Sequence, residues 1–191
     1  VSSMGPAIGD VDRDGLMDLY IPDMGYGCLL INRTDYFEDR PAPSNLAVVC
    51  GQYTGWGGLL FDYDNDGYLD VFVANGNAHH EYTEEDVLMR NNGKGDFIDV
   101  ASESGNYFKE KYVGRGATYG DYDNDGDLDF LLTGYTGSEY IAEIYRNDGN
   151  DIFVDISTSF TGVNQGSVAW GGYDTDRKST RLKSSHTVIS Y

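Results

Sequence analysis

The chain has 191 residues, which is enough for one hydrophobic core or for part of a repeat protein. Its 32 acidic and 13 basic residues give a net charge of −19, which disfavours nucleic acid and anionic membranes as partners and favours divalent cations. A composition of 40% hydrophobic and 14% aromatic residues with 25 glycines indicates a folded sheet protein with many turns, not a disordered acidic chain.

The dominant feature of the sequence is an internal repeat. The motif D-x-D-x-D-G-x-x-D begins at residues 10, 62 and 121, and a degraded fourth copy occupies residues 172–176. Each unit has a small-residue segment, the acidic loop, a short apolar run, a segment that ends in Asn, a polar turn and a short strand with an aromatic residue near its start. The predicted strands lie at 5–9, 19–21, 28–32 and 36–37, at 57–61, 71–73, 87–91 and 97–100, at 116–120, 130–132, 141–147 and 153–156, and at 167–171.

This organisation predicts the fold class. A period of roughly 50–60 residues with four short strands per unit is what a blade of a β-propeller requires. We therefore predict an all-β chain, a β-propeller fragment of about three four-stranded blades within residues 1–176. Only residues 81–88 have a pattern that allows one helical turn. No apolar run approaches the ~20 residues of a membrane span, so we expect no membrane insertion in this fragment.

The acidic loops predict three Ca²⁺ sites. Calcium takes six to eight oxygen ligands, and carboxylates at alternate positions 1, 3 and 5 turn toward one centre. Glycine at position 6 permits the bend, the main-chain carbonyl at position 7 faces the ion, and Asp at position 9 completes the shell. The predicted ligands are Asp10, Asp12, Asp14, Leu16 and Asp18; Asp62, Asp64, Asp66, Tyr68 and Asp70; and Asp121, Asp123, Asp125, Asp127 and Asp129.

Two other interpretations of these acidic loops fit the sequence less well. An acidic turn that holds only water is disfavoured, because carboxylates brought this close repel by ~1 to ~4 kcal/mol per pair without a cation. An EF-hand is excluded because position 12, where an EF-hand has Glu, holds Ile21, Val73 and Leu132 within β-rich runs. The fourth copy lacks the first Asp and the glycine, so it is not counted as a site.

The sequence resembles the FG-GAP/VCBS repeat family, which includes the propellers of integrin α-subunits. The resemblance rests on G-x-A-x-G-D-V-D-R-D-G-L-M-D-L at 5–19, F-D-Y-D-N-D-G-Y-L-D-V at 61–71 and G-D-Y-D-N-D-G-D-L-D-F at 120–130. The pattern L-x-R-N-x-G-x-G-x-F-x-D-V at 88–100 is also typical of the family. Bacterial VCBS-repeat proteins and cartilage-acidic-protein-like propellers show the most similar pattern.

The resemblance covers roughly residues 4–176 and implies a propeller, commonly of seven blades, with calcium in loops on one face. It also implies an extracellular or cell-surface location and a scaffold for adhesion or for binding an extracellular protein or carbohydrate. We expect no enzymatic activity. The alternative is the propeller part of a secreted, lyase-like polysaccharide-active enzyme, for which the candidate cluster is His79, His80 and Glu81, followed by Glu84, Glu85 and Asp86.

Three further features of the sequence each allow two interpretations. Cys28 and Cys50 allow either one disulfide or two buried thiols. Trp56 and Trp170 suit either a sugar-binding platform or blade packing. Residues 177–191 contain four basic residues and no acid, so residues 1–176 carry −23, and the segment at 176–186 resembles a translated sequencing adapter. We therefore expect residues 177–191 to be a non-native tail, with a divergent basic strand as the alternative.

Overall fold

The computed structural model describes residues 4–25, 27–40, 44–78, 82–163, 166–171 and 185–190. Three four-stranded antiparallel sheets follow one another along the chain, and each is a simple meander in which consecutive strands pair. The first contains β1 (Ala7–Gly9), β2 (Asp18–Ile21), β3 (Cys28–Asn32) and β4 (Phe37–Asp39); the second β5 (Gly55–Phe61), β6 (Asp70–Asn75), β7 (Val87–Asn91) and β8 (Phe97–Asp99); the third β9 (Val113–Gly120), β10 (Asp129–Tyr135), β11 (Tyr140–Asn147) and β12 (Phe153–Asp155).

These three sheets confirm the predicted all-β class and the predicted three four-stranded units. A further strand, β13 (Gly166–Gly171), follows the third sheet and pairs antiparallel with β14 (Ser185–Ser190). The strand β14 lies inside the segment expected to be a non-native tail, an expectation that stays a prediction. The degraded fourth loop at residues 172–176 lies outside the described residues.

Packing between sheets follows the two-residue alternation of the strands. In β6, Val71 and Val73 face the core shared with the first sheet, whereas Phe72 and Ala74 face the core shared with the third sheet. Every residue of β6 is buried. The second sheet is therefore covered on both faces, which is the arrangement expected of neighbouring blades.

Short helices in the connections add to these two cores. The helix α1 (Leu46–Cys50) contributes Leu46 to the core between the first and second sheets. Two 3₁₀ turns, Ala101–Glu103 and Tyr107–Lys109, precede β9, and the second contributes Tyr107 to the core between the second and third sheets.

The prediction that residues 81–88 could form one helical turn is wrong, because β7 begins at Val87 and the preceding Glu84 forms a β-bridge with Tyr112. No helix in the described part of the chain is long and apolar enough to cross a membrane.

Candidate metal centre

Each acidic loop joins the first strand of a sheet to the second, at 10–18, 62–70 and 121–129. The first strands of successive sheets pack against one another, so the three loops lie side by side at the same end of the sheets. The glycine at position 6 has a left-handed backbone in every loop, with φ of +88° at Gly15, +88° at Gly67 and +99° at Gly126. This conformation confirms that position 6 is where the chain bends, and glycine adopts it without steric cost.

Three carboxylates come together in each loop. Two oxygens that bind one Ca²⁺ at about 2.4 Å can lie at most about 4.8 Å apart. In each loop, one oxygen from each of three Asp residues lies within 4.8 Å of the other two, which fits this limit. The three sets are Asp10, Asp12 and Asp18; Asp62, Asp64 and Asp66; and Asp121, Asp123 and Asp129.

The other predicted ligands are not part of these mutually close sets. Asp14 and Asp125 at position 5, and Asp70 at position 9 of the second loop, lie outside them. The main-chain carbonyls of Leu16, Tyr68 and Asp127 at position 7, like the ligand sets as a whole, stay predictions.

Hydrogen bonds inside each loop hold its carboxylates in place. In the second loop, Asp62 accepts the N–H groups of Asp66 through Oδ1 (3.0 Å) and Gly67 through Oδ2 (2.9 Å). Asp66 in turn accepts the N–H of Tyr68 through Oδ1 (2.8 Å). The first loop has the same three bonds, and the third has two of them. The loops thus keep acidic oxygens close together through local main-chain donors.

The Asp at position 9 is the most buried member of each loop. Asp18, Asp70 and Asp129 are 0% exposed, and each accepts two main-chain N–H groups, one per carboxylate oxygen. Burial raises the pKa of all three, to about 8 for Asp70 and to about 6 for Asp129, although the main-chain donors act in the opposite direction. A cation beside these groups would favour their ionised form.

Basic side chains approach two of the three loops. The guanidinium of Arg33 contacts Asp12 (2.7 Å) and Asp14 (3.3 Å) in the first loop. In the third loop, Nε of Arg146 lies 3.8 Å from Asp123. Within the described residues, no basic nitrogen lies within 4.0 Å of a carboxylate of the second loop.

Sequence reasoning missed the asparagines that close the third strands. Asn32, Asn91 and Asn147 each donate their main-chain N–H to the position-9 Asp of the same sheet. The signal in the sequence is that Asn recurs at the end of the third predicted strand of each unit, a pattern that by itself predicts only a strand boundary.

The residues considered for catalysis do not form a described site. His79, His80 and Glu81 lie outside the described residues. The carboxylate of Glu84 accepts the Thr54 N–H (2.6 Å), and Glu85 binds the Tyr53 hydroxyl (2.8 Å) and Lys111 (3.1 Å). These acidic groups thus hold neighbouring segments together.

The structure also shows the surroundings of the two cysteines and the two tryptophans. Cys28 and Cys50 are free thiols, and burial raises the pKa of both. The ring of Trp170 makes an edge contact with Tyr122. Trp56 is partly exposed and carries the guanidinium of Arg115 over its ring, 3.9 Å from the centroid, at a cavity of about 340 Å³.

Comparison with known proteins bears on the identity of these repeats. Residues 62–132, from the start of the second loop to the middle of β10, match the family described as FG-GAP-like repeat. This part of the chain is similar to FG-GAP-like repeats. The resemblance drawn from the acidic motifs is thereby confirmed, and the matched FG-GAP-like residues contain two of the three carboxylate clusters.

The chain is also similar to cartilage acidic protein 1 of Xenopus tropicalis, with 30% identity over 119 residues. The aligned part makes up 60% of this chain and 17% of that relative. The chain therefore corresponds to a small part of the relative's length.

Proposed function

We propose that this chain is part of a non-catalytic, calcium-stabilised β-propeller scaffold that acts outside the cell in adhesion or in protein or carbohydrate binding. The observation that carries the proposal is the convergence of three carboxylates within 4.8 Å in each of three equivalent loops. A cluster of this kind, made only of hard oxygen donors, suits Ca²⁺ better than a soft transition metal.

The ion's contribution is to hold each loop closed. The carboxylates at positions 1, 3, 5 and 9 would hold the ion, and the ion would offset their mutual repulsion. The loop between the first two strands of the sheet would therefore become rigid. A ligand at 100 times its Kd stabilises a folded protein by about 2.7 kcal/mol per site. Extracellular modules commonly bind calcium with Kd of about 10⁻⁴–10⁻³ M, which suits a scaffold outside the cell.

Thermal unfolding in EDTA and in millimolar CaCl₂ tests this proposal. We expect calcium to raise the Tm of the full chain and equimolar Mg²⁺ to raise it less, because Mg²⁺ dehydrates reluctantly and demands octahedral geometry. The variant Asp64→Ala, which removes one carboxylate from the second loop, should show a smaller calcium-induced shift. Glu103→Ala, outside the loops, is the matched control and should retain the full shift. An unchanged Tm across EDTA and calcium would overturn the proposal.

The absence of catalysis is the second part of the proposal. It is supported by the FG-GAP-like match and by the structural contacts that occupy Glu84 and Glu85. The competing lyase-like function would require a base at His79 or His80. Degradation of an acidic polysaccharide by the full chain, lost in the His79→Ala/His80→Ala double variant, would favour that enzyme instead.

The cavity beside Trp56 is our candidate for ligand recognition. Main-chain carbonyls of Gly114 (2.9 Å) and Asn77 (3.0 Å) hold the Arg115 guanidinium in place, and the indole ring supports its face. A fixed guanidinium beside an aromatic ring suits a ligand that combines a carboxylate with an apolar surface, such as an acidic sugar or an acidic peptide. Trp56→Ala should weaken binding of such a ligand while leaving calcium binding intact.

A further inference from the structure

Neighbouring acidic loops are joined by hydrogen bonds through one buried asparagine. Asn91, at the end of β7, donates its side-chain Nδ2 to the carbonyl of Val11 in the first loop (3.1 Å) and to the carbonyl of Leu69 in the second (3.1 Å). Its main-chain N–H donates to Oδ1 of Asp70 (2.8 Å). Asn91 therefore binds position 2 of one loop and position 9 of the next.

The third sheet repeats this arrangement. Asn147, at the end of β11, donates Nδ2 to the carbonyl of Tyr63 at position 2 of the second loop (2.8 Å). Its main-chain N–H donates to Oδ1 of Asp129 (2.9 Å). Both asparagines are nearly inaccessible to solvent, with exposures of 2% for Asn91 and 1% for Asn147. Since buried polar groups are costly to leave unpaired, these bonds are strong constraints on the loops they join.

The bonds form one path across all three loops. The residue at position 2 completes each step, because its N–H donates to the position-9 Asp of its own loop while its carbonyl accepts the next asparagine. These N–H bonds are 2.8 Å from Val11 to Asp18 and 3.1 Å from Tyr63 to Asp70. The path runs through Asp18, Val11, Asn91, Asp70, Tyr63, Asn147 and Asp129.

A second contact joins the same loops at their exposed ends. Position 4 has a left-handed backbone, with φ of +61° at Arg13 and +57° at Asn65. In both loops its side chain contacts position 7 of the next loop. The guanidinium of Arg13 lies 5.0 Å from the ring centroid of Tyr68, and Nδ2 of Asn65 donates to Oδ1 of Asp127 (2.6 Å).

From this geometry we infer that Asn91 and Asn147 are positioning residues that make calcium binding in neighbouring loops cooperative. The inference rests on the calcium function proposed above. An ion that draws together positions 1 and 3, the pair present in all three carboxylate clusters, fixes the main chain of position 2 between them. That carbonyl then orients the asparagine of the next sheet, whose N–H holds the position-9 carboxylate of the next loop. The second loop to bind is already partly ordered, so it binds its ion more tightly.

The coupling is measured on the full chain with two loops active. Asp12→Ala disables the first loop and leaves the second and third, whereas Asp12→Ala/Asp64→Ala leaves only the third. We expect isothermal titration with CaCl₂ to give a Hill coefficient above 1 for the two-loop form. The third loop should bind about 5- to 150-fold more tightly when the second is loaded than when the second is disabled, the range usual for coupling between sites.

Removing the asparagine separates positioning from a purely structural role. Asn147→Ala in the two-loop form should lower the Hill coefficient toward 1 and bring the affinity of the third loop close to the value it has alone, with the Asn65–Asp127 contact as the remaining link. Asn32→Ala is the matched control, because its side chain donates to Met17 in its own loop (3.1 Å) and lies outside the path between the second and third loops. It should leave the Hill coefficient unchanged.

The outcomes distinguish this inference from the proposed function. If no loop binds calcium in the titration, the proposed function fails. If both loops bind and disabling the second leaves the affinity of the third unchanged, only the coupling is overturned. That second comparison needs no asparagine variant, so it decides the matter even if Asn147→Ala does not fold.

Discussion

Asp86 gives the chain a pH-dependent stability that does not involve the acidic loops. The residue is 2% exposed, its Oδ1 accepts the N–H of Asn75 (2.6 Å), and its Oδ2 accepts the hydroxyl of Tyr107. Burial raises its pKa to about 7, with a smaller contribution from the nearby Glu84 carboxylate, while the two hydrogen bonds act in the opposite direction. Folding therefore favours the protonated form of Asp86.

The sign and size of the effect follow from linkage. In the unfolded chain Asp86 ionises at its ordinary pKa of 3.8, whereas in the folded chain it keeps its proton up to about pH 7. Between these values the folded state binds more protons, so the free energy of unfolding falls by about 1.4 kcal/mol per pH unit as pH rises. Over about three units the loss is roughly 4 kcal/mol, and it levels off above pH 7.

Denaturant unfolding in EDTA between pH 4 and pH 8.5 measures this contribution, with Asp86→Asn as the reference. The variant is neutral at every pH, and its amide can accept from Asn75 and donate to the Tyr107 hydroxyl oxygen. Carboxylates elsewhere titrate in both proteins and cancel in the difference. We expect the wild-type chain to lose about 4 kcal/mol relative to Asp86→Asn across this range. A difference that stays constant with pH, or that grows in favour of the wild type, would refute the reasoning.

Three further variants test the loops and the core. Arg33→Gln should strengthen calcium binding at the first loop by about two- to fivefold in a titration, because the ion no longer displaces a guanidinium; equal or weaker binding would contradict this. Phe130→Ala removes the centre of an aromatic cluster and should cost about 3–5 kcal/mol in denaturant unfolding, against less than about 0.5 kcal/mol for the exposed control Ile98→Ala. Gly126→Ala should cost about 1–2 kcal/mol because its φ is +99°, whereas Gly25→Ala, which has equally open space, should be near neutral; similar costs at both positions would count against backbone strain.

Most of the strand architecture follows from sequence pattern. The third strand of the first two units was predicted at 28–32 and 87–91, which are the bounds of β3 and β7. The first strands of the second and third units were predicted too short, since β5 begins at Gly55 and β9 at Val113, whereas that of the first unit was predicted too long, since β1 begins at Ala7. The strands β5 and β9 both contain a register shift near glycines, at Gly55/Gly57 in β5 and opposite Thr133/Gly134 in β9, and glycine hides the alternation on which strand prediction depends.

The helical connections could not be read from local pattern. Leu46, Tyr107 and Phe108 lie in short turns whose helicity comes from packing into the cores between sheets, and such packing requires the tertiary arrangement. The same limit applies to the acidic loops. The spacing of each motif predicted that its carboxylates lie close together. The side-chain bonds that join Asn91 and Asn147 to the preceding loops, in contrast, connect residues that are 80 and 84 positions apart in sequence and belong to different units of the repeat.

The two-sided burial of the second sheet has a consequence for how the chain folds. Its strands pair only with sequence neighbours, so each meander can form locally and early, but neither of its faces is covered until the sheets on both sides have docked. Stability then resembles that of a one-dimensional array, in which each added unit contributes its own small term and a larger interface term. A single sheet excised from this protein should remain unfolded, whereas adjoining sheets should gain stability with each interface they complete.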